Sequence, residues 1–491
     1  MGQGESCALL TKRNSTNMLS QFWKTTFIYG LGFIGLRMVS FLLLPLYTHL
    51  LSPSDAGIIF IIYTVLAFFN TIYSRGMDAA LFKFYDQENS STVISTSIIY
   101  STKYGGFLTL FLFTVIVACF NGGLIQHTAI SYTVSAGLLF VLFGDMLASR
   151  GMGILRLEEK PLYYLFVSLI NVCVNVLFNI YFIKTLGMGL VGAIWAIIIA
   201  SLIQIIILSP VLVSNVRLSD NSADLLQKMK KFSLPFLPAA IFLILIELSD
   251  RWMIGLMSPN GTADVGIYTA GYKFGSLIML CVRAFNLNWQ PYYLKKDTSA
   301  TFYKIGSLFL SLLIILTTLL SILWPILFWF LIGEDFWSGG AIIPIIAISY
   351  IFYGLFVLQM PSLYLKNKEQ WAPRLWGIGF LINVCCNCVL IPLYGYYGAA
   401  FATLFAYAGM AFFIVYKNYN WMPMKYSLPY LGCILVISVL VLCYGYYTDN
   451  WFWMIRLGWV GQQSFWILHV FVASVYLLIT LPIIWLMYKK I

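Results

Sequence analysis

Long apolar segments alternate with short polar connections along the whole chain. Each segment is long enough for a helix that crosses about 30 Å of hydrocarbon, which needs roughly 20 residues. Their residues do not alternate in polarity as the strands of a membrane barrel would. The pattern therefore predicts an all-α polytopic membrane protein with about 14 transmembrane helices. The predicted spans are residues 25–48, 57–82, 104–120, 129–149, 163–183, 186–213, 234–257, 265–289, 305–331, 341–364, 375–393, 397–416, 428–447 and 465–487.

Composition agrees with this class and narrows the chemistry. The 491 residues are 61% hydrophobic and only 10% charged, too little polar surface for a water-soluble globule. Residues 1–24 are polar and precede a long span that contains Arg37, so no cleaved signal peptide is expected. Most of the nine cysteines fall within spans and the three histidines are scattered, so we expect no disulfide framework, metal site or cofactor.

The basic residues predict the orientation. Of the 29 Lys and Arg residues, 22 flank alternate connections, two (Lys184 and Arg456) flank the others, and five lie inside spans. Because Lys and Arg are retained on the cytoplasmic side, both termini are predicted to be cytoplasmic. The net charge of +11 then reports topology and does not require nucleic-acid binding.

The connections leave little room for an extramembrane enzyme. The longest are the N-terminal tail and the stretches 214–233 and 448–464, none large enough for a folded catalytic domain. The chain also lacks the G-x-x-x-x-G-K-[ST] phosphate loop. We therefore expect a protein that is not an enzyme and does not hydrolyse ATP by that route.

An internal repeat predicts the domain organisation. The seven residues 169–175 match residues 381–387 at six positions, and the Ser-Pro and Asp-x-Gly-Ile features of residues 51–58 return at residues 257–267. The predicted organisation is a cytoplasmic tail (1–24), a six-helix half (25–213), a cytoplasmic linker (214–233), a second six-helix half (234–416) and two last helices (417–491). Parallel repeats of this kind are typical of transporters that work by alternating access.

Charges inside the predicted spans are the candidate functional residues. A charge at the bilayer centre costs about 2.5–3.5 kcal/mol, so such groups should face water or each other. Substrate-binding candidates are the five basic residues Arg37, Arg75, Arg251, Lys273 and Arg283, and the candidates for ion coupling or ion pairs are Asp78, Asp145, Glu247 and Asp250.

Helical spacing divides these residues. Arg75 with Asp78, and Glu247 with Arg251, are one turn apart and would form ion pairs. Arg37 and Lys273 have no acid one turn away and are the better ligand candidates. Arg75 and Arg283 occupy nearly equivalent places in the repeat, where two guanidinium groups would suit phosphate oxygens. The asparagines at 171, 175, 179, 383 and 387 serve either helix packing or sugar binding.

The chain resembles the O-antigen type lipid-linked oligosaccharide flippases of the multidrug/oligosaccharidyl-lipid/polysaccharide (MOP) exporter superfamily. The resemblance rests on Leu44-Pro45, on residues 50–57, on Gly76 to Tyr85, and on two six-span halves plus two further spans. It departs at Ala56, where an aromatic residue is usual, and at Lys83, where arginine is usual. The resemblance implies a bacterial inner-membrane protein that moves an undecaprenyl-pyrophosphate-linked oligosaccharide, such as an O-antigen unit, toward the periplasm.

The same resemblance implies a lipid-linked glycan and the membrane as partners, with other glycan-assembly proteins as neighbours. The acids inside the spans suggest a proton or sodium ion as coupling ion, and we expect no nucleic-acid partner. Two alternatives stay open. An ion-coupled exporter of drugs or small molecules in the same superfamily would depend on an intramembrane acid. A membrane glycan polymerase or glycosyltransferase would need catalytic acids outside the membrane.

Overall fold

The computed structural model describes residues 41–85, 89–122, 131–217, 222–295, 299–423, 426, 429–440 and 462–490, and these are helical with short connections. The helices are α1 (Phe41–Leu50), α2 (Pro53–Ser74), α3 (Met77–Phe84), α4 (Ser90–Asn121), α5 (Tyr132–Leu157), α6 (Pro161–Asn179), α7 (Gly189–Ser214), α8 (Ala223–Ser233), α9 (Phe236–Met257), α10 (Thr262–Gly275), α11 (Leu277–Lys295), α12 (Ser299–Leu331), α13 (Ile343–Gln359), α14 (Pro361–Leu365), α15 (Trp371–Tyr394), α16 (Tyr396–Trp421), α17 (Pro429–Leu440) and α18 (Gln462–Lys490). A π turn, Ile180–Thr185, extends α6, and a 3₁₀ helix, Glu334–Ile342, precedes α13.

This architecture confirms the all-α membrane class. Ten described helical segments are long and apolar enough to cross a membrane, and the bent pair α10–α11 adds an eleventh. Each predicted span after the first overlaps a described helix, whereas only the end of the first span, in α1, lies within the described residues. The chain divides into two compact units, unit 1 of residues 1–46 and 65–237 and unit 2 of residues 47–64 and 238–491.

The second predicted span is not one continuous helix. Helix α2 ends at Ser74, and Arg75 and Gly76 adopt left-handed backbone conformations with φ of 48° and 68° before α3 begins. A non-glycine residue in this region is strained, so its surroundings must hold it there. The expectation that Arg75 and Asp78 lie one turn apart on a continuous helix is therefore wrong, because the break redirects the chain after Ser74.

The eighth predicted span is bent for a related reason. Helices α10 and α11 meet at an angle of 44° around Ser276. The Gly275-Ser276 pair lies at this bend, and Gly/Ser pairs are a common cause of sharp kinks. The bend separates Lys273, at the end of α10, from Arg283 on α11.

The predicted polar linker contains an amphipathic helix. Ser222 caps α8 by accepting a hydrogen bond from the backbone N–H of Leu225 at 3.2 Å. Leu225 and Met229 are buried in the core of unit 1 together with residues of α3, α4 and α5. Lys230 and Lys231 lie in the last turn, where positive charge favours the helix dipole.

In unit 2, two segments related by the sequence repeat pack against each other. A Cβ atom on Gly57 would overlap the carbonyl oxygen of Thr262, and one on Gly266 would overlap the carbonyl oxygen of Pro53. The hydroxyl groups of Ser54 and Thr262 are hydrogen-bonded at 2.7 Å. The two glycines thus allow backbone contact that any larger side chain would prevent.

Candidate functional site

Four of the five candidate bases and all four candidate acids lie in the described residues, and they form separate groups in the two units. Arg37 lies outside the described residues, so its assignment stays a prediction.

The principal ion pair of unit 1 joins Asp78 on α3 to Arg150 on α5. The side chain of Arg150 is completely buried, and it also donates to the hydroxyl of Ser101 and to the carbonyl of Ser74, each at 3.1 Å. Asp78 accepts further hydrogen bonds from the hydroxyls of Ser74 at 2.7 Å and Ser149 at 3.0 Å. The pair therefore ties α5 to both sides of the break in the second span.

This pairing corrects the predicted pair of Arg75 with Asp78. Arg75 instead donates a hydrogen bond to the hydroxyl of Tyr100 at 2.9 Å, and its guanidinium lies 4.5 Å from the ring centroid of Tyr104. The reason is the helix break, which turns Arg75 toward α4 while Arg150 reaches Asp78 from α5.

Asp145 on α5 has a different environment. Its carboxylate accepts a hydrogen bond from Ser201 at 2.8 Å and a longer one from Asn70 at 3.4 Å. Within the described ranges no basic side chain forms an ion pair with it. The amide oxygen of the same side chain, Oδ1 of Asn70, is buried without a hydrogen-bond partner in the described structure.

In unit 2 the predicted pair of Glu247 with Arg251 is also wrong. Glu247 on α9 forms its ion pair with Arg283 on α11. Arg251 donates to the backbone carbonyl of Glu247 at 3.0 Å, and its guanidinium lies 4.7 Å from the ring centroid of Tyr272. The helical spacing placed Arg251 one turn from Glu247, but the Glu247 carboxylate points to α11 instead.

Asp250 is the centre of a buried polar cluster in unit 2. Its carboxylate accepts hydrogen bonds from Tyr268 at 2.7 Å, Thr403 at 2.8 Å and Asn387 at 2.8 Å, and all four residues are at most 1% exposed. Asn387 also donates to Asn383 at 3.0 Å, while its own Oδ1 has no hydrogen-bond partner in the described structure. The cluster thus brings three side chains, from α10, α15 and α16, around one carboxylate on α9.

This cluster has the composition of a cation or proton site. The described residues contain no group of three or more His, Cys, Asp or Glu side chains, the usual donors for transition metals. The oxygens here come instead from a carboxylate, two hydroxyls and an amide, the hard donors that suit an alkali cation or a proton. Because the buried Oδ1 of Asn387 accepts no hydrogen bond in the described structure, it can coordinate such an ion.

Lys273 lies elsewhere in unit 2. It is partly buried at the end of α10, and its ammonium lies 4.7 Å from the ring centroid of Phe60. The side chain thus packs against an aromatic ring of α2 within unit 2. The ligand role of Lys273 stays a prediction.

Several residues of these groups were not identified from the sequence. Arg150 was counted among the bases that flank the membrane because the fourth span was ended at residue 149, whereas α5 continues to Leu157. Tyr268 and Thr403 gave no signal, since one hydroxyl in an apolar helix is common. Asn387 belongs to the asparagine pattern of the sequence. Its hydrogen bond to Asp250 indicates a role besides helix packing.

Three other asparagines make contacts of helix packing. Asn171 crosses to α7, where it donates to Gln204 at 2.9 Å. Asn179 donates to Asn175 within α6 at 2.9 Å. Asn387 differs because it donates to a charged group, the Asp250 carboxylate.

Comparison with known proteins agrees with this architecture. The chain is similar to a lipid II flippase, MurJ, solved in an inward closed conformation, with a TM-score of 0.65 and 14% identity over 94% of this chain and 98% of that one. It is also similar to an inward-facing multidrug resistance MATE transporter of the MOP superfamily, with a TM-score of 0.60 and 15% identity over 80% of this chain and 94% of that one. These similarities show the fold.

Sequence comparison goes further. A curated relative, the uncharacterized membrane protein YabM of Bacillus subtilis strain 168, is 25% identical over 398 residues, which is 73% of each protein. Residues 22–296, more than half of the chain, match the family described as polysaccharide biosynthesis protein. The resemblance expected from the sequence is confirmed at this level: the chain is a multi-pass membrane protein with the MOP transporter fold, and it belongs to the polysaccharide biosynthesis protein family.

Proposed function

We propose that this protein is a flippase that moves a lipid-linked oligosaccharide across the bacterial cytoplasmic membrane by alternating access. The observation that carries the proposal is the family match over residues 22–296. The similarity to a lipid II flippase adds support because it extends over 94% of the chain, against 80% for the MATE transporter.

The substrate we favour is an undecaprenyl-diphosphate-linked unit such as an O-antigen repeat. Arg75 and Arg251 lie within predicted membrane spans and form no ion pair with a carboxylate in the described structure. Lys273 lies over the ring of Phe60. Desolvated cations of this kind bind phosphoryl oxygens strongly. Arg283 differs because Glu247 already neutralises it, so we give it a structural role.

The direction of transport follows from the distribution of charge. With 22 Lys and Arg residues on one side, the positive-inside rule places that side and both termini in the cytoplasm. Such a substrate is loaded from the cytoplasmic leaflet and released on the other side. The protein performs no covalent chemistry in this scheme and is not an enzyme.

Asp250 is the residue to which we assign the coupling ion. It is completely buried and makes no ion pair in the described structure, and three donors surround its carboxylate. An uncompensated carboxylate in the membrane is stable when it binds a cation or a proton. Binding and release of that ion would give the two states of the protein different stabilities, as coupling requires.

Flipping can be tested with purified full-length protein in vesicles that contain a fluorescent undecaprenyl-diphosphate oligosaccharide. A membrane-impermeant reductant bleaches the outer leaflet, so active protein should raise the bleached fraction above the value of protein-free vesicles. Lys273→Ala should slow this exchange. Lys184→Gln, which changes an exposed lysine of unit 1, should not. Equal bleaching with and without protein would overturn the proposal.

An ion-coupled drug exporter is the second candidate, favoured by the MATE similarity. The same vesicles discriminate it when they are loaded with a cationic dye instead of the lipid. Gradient-driven loss of dye, together with unchanged bleaching of the lipid, would select the exporter.

A further inference from the structure

Two cations of unit 1 meet at one pair of stacked tyrosines. Tyr100 and Tyr104 lie one turn apart on α4 with ring centroids 5.9 Å apart and an interplanar angle of 14°. Arg75 donates to the hydroxyl of Tyr100 and covers the ring of Tyr104, and the ammonium of Lys230 lies 4.5 Å from the ring centroid of Tyr100. The break between α2 and α3 and the helices α4 and α8 thus contribute to one cation–aromatic group.

Neither cation forms an ion pair within the part of the chain that the structure describes. The nearest acid in sequence to Arg75, Asp78, is taken by Arg150, and Asp224 on α8 is taken by Lys228 at 3.2 Å. Among the described residues no carboxylate forms an ion pair with Arg75 or Lys230. The tyrosine rings stabilise both cations without removing their charge, so the group attracts anions.

The backbone at Arg75 supports a binding role. Its φ of 48° is unfavourable for arginine, and such strain persists where the surroundings hold a residue in place. Arg150 supplies this hold, because it is fully buried and bonds both the carbonyl of Ser74 and the carboxylate of Asp78. The guanidinium of Arg75 is thereby oriented before any ligand arrives, which lowers the entropic cost of binding.

We propose that Arg75 and Lys230, positioned by Tyr100 and Tyr104, form a subsite that first binds the diphosphate of a prenyl-linked substrate. Both residues are only partly buried, and Lys230 lies on the amphipathic helix α8 within the basic connection that we assign to the cytoplasm. The group would therefore meet a diphosphate in the cytoplasmic leaflet. The identity of the substrate rests on the proposed function. All residues of the subsite belong to unit 1.

The test measures binding by full-length protein in detergent, with tryptophan fluorescence as the signal and undecaprenyl diphosphate as the probe. Phosphatidylglycerol and inorganic pyrophosphate serve as the two other sources of phosphoryl oxygens. Arg75→Asn is suitable because asparagine tolerates positive φ, and Lys230→Gln is its partner variant. Lys228→Gln removes the same charge from the same helix and is the matched control.

Each single variant should weaken binding of undecaprenyl diphosphate by about tenfold, the loss expected for one charge-assisted contact. Lys228→Gln should bind like the wild type, and Arg75→Lys should recover part of the loss. Phosphatidylglycerol binding should change little in any variant. If Arg75→Asn does not fold, Lys230→Gln and its control carry the same comparison.

Binding of undecaprenyl diphosphate by Lys230→Gln with wild-type affinity would overturn the proposal. A loss of phosphatidylglycerol binding as large as the loss of undecaprenyl diphosphate binding would also overturn it, because it indicates a general lipid contact. A loss for pyrophosphate equal to that for the lipid would support the proposal, because both residues are assigned to the diphosphate and not to the prenyl chain. Failure of the proposed function looks different, because wild-type vesicles would then show no flipping whatever the binding results.

Discussion

At the scale of single residues, burial decides which charged side chains are structural. Arg150 has no exposed surface, and its partner Asp78 accepts hydrogen bonds from two serines as well. Removing one member of a buried ion pair leaves the other charge without compensation, which costs far more than the pair itself contributes. The pair therefore belongs to the scaffold that holds the helix break.

We expect Asp78→Ala to lower the free energy of unfolding by about 3–5 kcal/mol, because Arg150 would remain buried and unpaired. Adding Arg150→Met should recover much of the loss, since both charges are then gone. Thermal unfolding in detergent measures the effect. Asp224→Ala, which breaks an exposed pair with Lys228, is the control and should change stability by less than about 1 kcal/mol. Equal melting of the two single variants would contradict the structural role.

The Asp250 cluster gives a second prediction at this scale. At a sodium concentration about a hundred times the dissociation constant, wild-type protein should gain about 2.7 kcal/mol of stability relative to potassium. Asp250→Asn should abolish this gain, whereas Asp145→Asn, which changes another candidate acid that forms no ion pair in the described structure, should retain it. If protons are the coupling ion, the wild type and Asp145→Asn, but not Asp250→Asn, should show a corresponding change between acid and neutral pH. If the stability of Asp250→Asn changed with sodium and with pH as the wild type's does, Asp250 would be excluded from coupling.

At the scale of elements, the close contact of α2 with α10 depends on glycine. Gly57 and Gly266 each face a backbone carbonyl of the opposite segment, Thr262 and Pro53 respectively. The sequence showed that these segments are related, and the structure shows why the related position is glycine in both.

Gly57→Ala should therefore force the two segments apart and destabilise unit 2, with a cost of about 1–3 kcal/mol for the overpacking. Gly106→Ala is a matched control on α4, where an added Cβ meets no atom within 4 Å. That change should be neutral or stabilising by about 0.5–1 kcal/mol, because alanine favours a helix. Thermal unfolding of both variants provides the comparison, and a Gly57→Ala protein as stable as Gly106→Ala would disprove the close contact.

At the scale of the whole molecule, the charge distribution predicts the topology. Single cysteines placed at Glu159 and at Gly187, in the connections that precede and follow α6, should react from opposite sides of the membrane. In a cysteine-free background the first should be protected from an impermeant maleimide added to intact cells, and the second should be labelled. Labelling of both from outside would contradict the assigned orientation.

The sequence by itself determined the class of the protein, the approximate position of the spans and the family. These follow from hydrophobic length, from the count of Lys and Arg on each side and from local motifs, all of which act through neighbouring residues along the chain. The candidate charges were also found this way, because any ionised group in an apolar helix is conspicuous.

Only the tertiary structure decided which charges are partners. Helical spacing favoured Arg75 with Asp78 and Arg251 with Glu247, whereas the acids pair with Arg150 and Arg283 from other helices. Spacing along one helix cannot include a residue from another helix, and it assumes a continuous helix where the chain breaks at Arg75 and Gly76. The strongest contacts of a buried charge come from whichever packed helix brings a partner closest, and that is a property of packing.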